Sequence, residues 1–376
     1  MAFTGPSAAA ASAETLVVSR LRDAIMTPWW FAQLFTGAKS FESNRLIGSR
    51  LFNRWGLHAI RVAVAHRLAA ARRRRLARLI SAADRVAFDR DGFVLRRNFL
   101  PRGEFAALVA EIKAYRGPLR EITEGDTIVR KIALSRRTLA RLPALGALLR
   151  SREWHGLVRY AGCRNAEPVV WVQSILRHAC TGPSDPQTLL HADTFHPTVK
   201  AWLFLTDVAE DAGPFTYVPG SHRLTERRLA WERRMSLTAR RSANTETRQG
   251  SFRIETAELA ALGLASPRAF AVSANTLVVA DTFGFHARGP STRPSLRVEI
   301  WAYGRRSPFF PRTGLLPWTT AALGGRSVLA WKFGDLLEWS GLKKHRWRER
   351  MGISPFDPPV AEPAEPQPTR SEAVIV

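Results

Sequence analysis

Between residues 168 and 304 the chain runs through five short apolar segments, PVVWVQSILRHA, KAWLFLTDV, PFTYVPGSH, ANTLVVADTFGFHA and SLRVEIWAYG, parted by glycine, proline and aspartate turns. Strands this short at this spacing predict an antiparallel sandwich or barrel. Side chains two apart on a strand leave from one face, so polar residues at the strand mouths can be assigned to faces.

His191 and Asp193 stand two apart just before the second run. In an extended chain this H-x-D pair presents two ligands to one ion. His286 is the candidate third ligand, because it follows the apolar strand Thr276 to Ala280 after a short polar break. Two histidines and one carboxylate on one side of a metal leave three coordination positions open, as non-haem iron(II) oxygenases require. If GPSTRP (289 to 294) is a hairpin loop, a symmetric register sets Arg297 directly opposite His286 on the same face. A guanidinium there could hold a carboxylate bidentately, as the far end of a 2-keto acid needs. Taken alone, Arg297 reads equally as a surface arginine on an edge strand.

The segments around His191-Ala192-Asp193, KAWLFLTDVAEDAGPFTYVPGSHR, His286 with Arg297 eleven residues on, and DRDGFVLRRNFLP resemble the phytanoyl-CoA dioxygenase family over about residues 86 to 310. The resemblance implies a mostly β fold with flanking helices (α+β), its core a double-stranded β-helix or jelly roll. It implies iron(II) held by His191, Asp193 and His286, with 2-oxoglutarate and O2 as co-substrates and Arg297 on the 5-carboxylate. Gln173, eighteen residues before His191, matches a position where relatives contact co-substrate or substrate. Arg288 stands where some relatives place a serine near the 2-oxoglutarate carboxylate, which leaves the second anchor open. Halogenating relatives lack the carboxylate, so Asp193 favours hydroxylation of a C–H bond, with 2-oxoglutarate decarboxylated to succinate and CO2.

Other polar residues compete for roles. Lys200 shares a strand face with Trp202, Phe204 and Thr206, and is a candidate for an anionic group of substrate or co-substrate, or the solvated first residue of a strand. His196, on a turn before Pro197, is a candidate for the substrate mouth. His222 reads as structural or rim-lining, and His178 and Cys180 as strand-end residues, since no matching metal pair accompanies them. His58 and His66 are expected on the polar face of an arginine-rich helix.

That helix lies in a segment, Arg45 to Ile80, with ten arginines and no acid. Leu57, Ile60, Val64, Leu68, Leu76 and Ile80 form an apolar stripe at helical spacing. Beside the arginines it suits an anionic membrane surface, or a helix packed on the main domain with its arginines solvated. The net charge of +24 calls for an anionic partner. Nucleic acid ranks third, because neither zinc-finger spacing nor an RNA-binding aromatic signature accompanies the charge. Two cysteines, no signal peptide and no apolar run near the roughly 20 residues of a membrane span predict a cytoplasmic enzyme, peripheral on the inner membrane face if the arm binds lipid.

The expected organisation is a disordered leader at 1–15, a basic helical arm at 16–83, a jelly-roll domain at 84–312, a helical extension at 313–356 and a disordered proline-rich tail at 357–376. The functional expectation is hydroxylation of an anionic or lipid-like small molecule. Its rival is a non-catalytic jelly-roll binding protein, or a membrane-associated scaffold acting through the basic arm.

Overall fold

The computed structural model describes residues 23–180, 186–304, 307–310, 318–342 and 345–359. The expected leader at 1–15 lies outside these, as does the tail beyond residue 359. Two antiparallel sheets form the centre. The larger holds β1 (Phe93–Arg96), β2 (Leu119–Glu124), β3 (Thr127–Ala133), β4 (Val169–Arg177), β5 (Val199–Phe204), β8 (Thr276–Asp281), β10 (Ser295–Gly304) and β11 (Arg348–Arg350), in the order β1-β8-β5-β10-β4-β3-β2-β11. The smaller holds β6 (Phe215–Tyr217), β7 (Arg268–Phe270) and β9 (His286–Arg288), in the order β7-β6-β9.

Strand alternation divides the large sheet into two chemically different faces. Val172, Ala201, Leu203, Val279, Val298 and Ile300 pack outward against Leu108, Ile112, Leu145, Leu148, Trp154 and Leu157 of the helices Arg102–Ala114, Pro143–Arg150 and Arg152–Ala161. The last of these helices shows why such segments form. Trp154, Leu157, Val158 and Ala161 repeat at helical spacing on its buried side, and the Ser151 hydroxyl accepts from the Trp154 N–H at its start. On the inner face, Phe93, Trp202, Phe204, Val278 and Ala280 meet Phe215, Tyr217 and Phe270 of the small sheet. The two sheets thus face one another as those of a jelly roll do, and the site lies between them.

The hairpin expected to join His286 and Arg297 does not exist. β9 pairs with β6, setting Tyr217 opposite His286, while β10 pairs with β4 and β5. GPSTRP carries the chain from one sheet to the other, so the two residues reach a common space from facing sheets and not as cross-strand neighbours.

The arginine-rich segment folds as a helix, Leu57–Leu76, but its buried side is His58, Arg61, Val62, Ala65 and Ala69. The expected apolar stripe is only in part the packing face: Leu76 and Ile80 pack against the core, but Ile60 is 60% exposed and Val64 37%. His58, expected on the polar face, is buried and 2.9 Å from the Glu232 carboxylate, which Arg228 also contacts at 3.0 Å. His66 packs edge-on against Phe283, its pKa driven well below the ordinary value by burial and then by Arg228 and Arg73. Several arginines point inward. Arg61 donates to the carbonyls of Leu34, Thr36 and Ala38 and lies over Phe195. Arg73 reaches the buried Asp281 carboxylate at 3.1 Å. Phe41 and Ile47 share a core cluster with Ala192, Phe252 and Phe285. The segment read as a separable arm is therefore a wall of the domain.

At the other end, the segment read as helical holds the helix Trp318–Trp339 and then strand β11, which extends the large sheet beside β2. Arg130, fully buried, donates to the Asp357 and Pro358 carbonyls, so the first residues of the expected tail are anchored. No helix among the described residues is long and apolar enough to cross a membrane.

Candidate metal centre and co-substrate pocket

His191 follows a short loop, and His286 begins β9. The His191 N–H donates to the His286 carbonyl and the His286 N–H to the His191 carbonyl, both at 2.9 Å. Asp193 is fixed by its own N–H, which donates to Thr282 O at 2.9 Å, and by Lys39, whose ammonium donates to the Asp193 carbonyl. The loop from Asp281 to His286 turns tightly over the small sheet: a Cβ at Gly284 would overlap the Tyr217 hydroxyl, which itself donates to Asp281 O at 2.7 Å. Arg73 and the N–H groups of Thr198 and Phe283 hold the Asp281 carboxylate at the head of this loop.

The ligand atoms of His191, Asp193 and His286 lie within 4.8 Å of one another. Each imidazole gives its Nδ1 proton to a carbonyl two residues back, Leu189 O at 2.7 Å for His191 and Gly284 O at 3.0 Å for His286. A carbonyl only accepts, so both Nδ1 atoms are protonated and each Nε2 is the ring nitrogen left to face a metal. Those Nε2 atoms each stand 3.6 Å from Asp193 Oδ1. Burial, then the neighbouring His286, holds the His191 imidazole well below its ordinary pKa and therefore neutral. Burial would raise the Asp193 carboxyl, but Lys200 and then His286 outweigh it and hold the group well below the carboxylate range. Asp193 Oδ2 lies 2.7 Å from Lys200 Nζ and accepts no well-aligned hydrogen bond. Two imidazoles oriented by backbone carbonyls, with one ionised carboxylate, fit a divalent metal of the iron type with open positions.

The three residues open on a cavity of about 310 Å³ that Gln173, Lys200, Trp202, Arg288 and Arg297 also line. Lys200 Nζ stands 3.0 Å from Asp193 Oδ1 and 3.3 Å from His286 Nε2, within the ligand set itself. Arg297 donates to Gly213 O at 2.7 Å and lies 3.0 Å from the fully buried Glu299 carboxylate, to which Gln173 donates at 2.7 Å. Of the expected pocket residues His196 is misplaced. It is buried, contacts Pro197 O through Nδ1, and lines a different, smaller space with Ala69 and Cys163. His222 is structural, edge-on to Phe88 and lowered to about 3 by burial and then Arg73. His178 pairs with Asp126, and the Cys180 thiol points at Gly125 O.

Several cavity residues escape a motif search. Glu299, Trp301 and Tyr303 share the inner face of β10 with Arg297, a pattern that alternation alone would have supplied. Lys131 on β3 pairs in register with Gln173; its ammonium lies 4.3 Å from the Trp301 ring centre and 5.1 Å from those of Trp171 and Trp347.

The phytanoyl-CoA dioxygenase family matches this chain over residues 88–261. The chain resembles that family over this stretch, 174 of its 376 residues. The phytanoyl-CoA dioxygenase match takes in His191 and Asp193 and ends before His286 and Arg297, which the tertiary structure brings to the same cavity. Among solved structures the chain is similar to HygX from Streptomyces hygroscopicus with nickel and 2-oxoglutarate bound, at 20% identity and TM-score 0.38, covering 60% of this chain and 87% of that one. It is also similar to the epimerase SnoN in complex with Fe3+, alpha ketoglutarate and nogalamycin RO, at 19% identity and TM-score 0.41, covering 64% and 93%. The non-heme alpha ketoglutarate dependent carbocyclase SnoK follows at 21% identity and TM-score 0.38, covering 61% and 84%. No curated protein matches the chain.

Proposed function

We propose that the protein is an iron(II)- and 2-oxoglutarate-dependent oxygenase that hydroxylates a C–H bond of an anionic or lipid-like small molecule. The observation carrying this reading is the placement of His191, Asp193 and His286 within 4.8 Å of one another in a cavity that Arg297 also lines. His191 and His286 would give their Nε2 lone pairs and Asp193 a carboxylate oxygen to the metal. When bound, iron with 2-oxoglutarate and O2 supplies the oxidising chemistry: one oxygen atom goes to succinate as CO2 leaves, the other to the substrate carbon.

This chain's own residues position the reactants. Arg297, steadied by Gly213 O and Glu299, would hold the far carboxylate of 2-oxoglutarate, and Gln173 fixes the Glu299 carboxylate. Lys200 cannot keep its place against Asp193 and His286 once a divalent cation occupies that set. Like charges would then repel, and the ammonium would be free to meet an anionic group of co-substrate or substrate in the cavity. Lys131, Arg288, Arg297 and Lys200 make the cavity wall strongly cationic against the carboxylates Glu124 and Asp193, which favours an anionic substrate.

Peripheral contact with anionic lipid through residues 45–80 belongs to the same proposal, narrowed to one face. Ile60, Val64, Arg67, Arg74 and Arg75 all lie exposed on the Leu57–Leu76 helix. Apolar and cationic side chains together suit a headgroup surface.

Anaerobic titration with iron(II) and 2-oxoglutarate tests the central reading. The wild type is expected to develop a metal-to-ligand charge-transfer band, and Asp193→Ala to lose it. Absence of the band in the wild type, with iron shown to bind, would sink the assignment.

A further inference from the structure

The inner face of the large sheet carries a continuous aromatic wall that the oxygenase reading does not use. Trp202 on β5, Trp301 on β10 and Trp171 on β4 stand in one cross-strand row, Trp301 paired in register with both others. Trp171 and Trp301 stack with ring centres 5.2 Å apart and planes 28° apart. Tyr303, two residues further along β10, stacks on Trp301 at 5.8 Å with the planes 4° apart. Trp347 lines the same cavity from the C-terminal segment, and Trp171, Trp301, Tyr303 and Trp347 all keep part of their surface exposed.

The position of this wall relates it to the metal set. At about 3.4 Å per residue, Trp301 and Tyr303 lie about 13 and 20 Å along β10 from Arg297. Tyr303 is paired with Lys200, whose ammonium touches Asp193 and His286. The rings therefore stand level with the metal ligands, while Arg297 marks the opposite end. A molecule that enters this cavity to reach the ligand set can lie against them.

The chemistry of the wall narrows what that molecule can be. Among the described lining residues only Val129 and Ala287 are aliphatic, so a long acyl chain finds little to bury against. Stacked, partly exposed rings instead match a flat-faced ring. Beside them Lys131 holds its ammonium over three indoles, with no hydrogen bond or ion pair to it among the described residues. The carboxylates Glu124 and Glu299 act on it from a distance but neither bonds it, so the ammonium has a place for a ligand's anion.

We propose that the substrate is a ring compound bearing a phosphate or similar anionic group, its ring stacked on Trp301 and Tyr303 and its anion held by Lys131. The inference rests on the oxygenase reading of the same cavity.

The test uses the full chain loaded anaerobically with manganese(II) and 2-oxoglutarate, and calorimetry with four probes: phenyl phosphate, glucose 6-phosphate, hexyl phosphate and phenol. One or both ring phosphates should bind about tenfold or more tighter than hexyl phosphate and than phenol. Which ring binds better separates aromatic from sugar recognition. Tyr303→Ala and Trp301→Phe should each weaken the ring phosphate, and Lys131→Met should abolish its advantage over phenol. Hexyl phosphate binding as tightly as the ring phosphates would overturn stacking. Lys131→Met weakening 2-oxoglutarate in place of the probe would overturn the anion anchor. If 2-oxoglutarate itself fails to bind the metal-loaded wild type, the oxygenase reading has failed. If it binds and no ring phosphate does, the failure is this inference alone.

Discussion

His191 and His286 exchange both of their backbone hydrogen bonds, each N–H donating to the other's carbonyl at 2.9 Å, although ninety-five residues of chain separate them. Their side chains leave a narrowly paired stretch of backbone on one side, with ring centres 4.5 Å apart. The spacing of the two metal-directed nitrogens is thus set by main-chain pairing, which side-chain substitution leaves intact.

It follows that His286→Ala should separate fold from metal binding. Divalent metal affinity is expected to fall about a hundredfold or more, as loss of one of three ligands requires. The melting temperature of the metal-free protein should move by no more than a few degrees. Calorimetric titration with manganese(II) and thermal denaturation give the two readings, and a large loss of stability would refute a metal-directed role separable from the fold.

Lys200 competes with the metal for Asp193. Its ammonium is 2.7 Å from Oδ2 and 3.3 Å from His286 Nε2. Lys200→Met removes the internal cation, so manganese(II) should bind about tenfold more tightly in the absence of co-substrate. Unchanged or weaker binding would show that the lysine does not compete.

Arg73 ties the N-terminal helix to the loop that delivers His286. It meets the fully buried Asp281 at 3.1 Å and donates to Ala161 O at the same distance. Arg73→Ala strands a buried carboxylate, an event that costs about 3–5 kcal/mol. Urea denaturation should report that loss, and metal affinity should drop with it. Deletion of residues 1–80 should leave no folded enzyme, because Phe41, Ile47, Val62 and Ala65 are core; a soluble, cooperatively melting truncation would contradict the packing described.

Burial lowers the Lys131 ammonium to about 8. A lysine with a folded pKa below its unfolded value destabilises the fold while charged in both states. That penalty is fully present below about pH 8 and is relieved as pH rises toward the unfolded value of about 10.4. Lys131→Met should therefore stabilise the protein at pH 7 by up to about 3 kcal/mol, with the difference from wild type shrinking by pH 10. Chemical denaturation at the two pH values checks both the sign and the window.

Contact with lipid should depend on the outward face of the Leu57–Leu76 helix alone. Replacing Arg67, Arg74 and Arg75 by glutamate is expected to abolish co-sedimentation with phosphatidylserine vesicles at low salt while leaving the melting temperature near that of the wild type. Wild-type protein that stays in the supernatant would end the lipid proposal.

The alternation of apolar runs from 168 to 304 announced antiparallel sheets, and the H-x-D spacing placed His191 and Asp193 together, because both depend on local chain geometry. The inner face of β10 was equally open to reading, since Arg297, Glu299, Trp301 and Tyr303 follow the two-residue period. The hairpin register failed because GPSTRP crosses between sheets, a choice that no local turn signal encodes. The arginine-rich helix failed differently. Its apolar stripe at Ile60 and Val64 was real, yet Ala65, Ala69 and the buried cations Arg61 and Arg73 form the packing face, because carbonyls, Asp281 and aromatic rings elsewhere in the chain receive them.

What the sequence determined by itself is the chemistry available: two histidines and an aspartate able to bind metal, strands to carry them, and an excess of arginine. Only the tertiary structure decided which groups meet. The His191–His286 backbone pair, the Gly213 carbonyl that receives Arg297, the Lys131 ammonium over three indoles and the arm built into the core all arise from contacts across scores of residues. Such contacts exist only after the sheets have closed on one another, when burial makes each unpaired charge costly enough to dictate its partner.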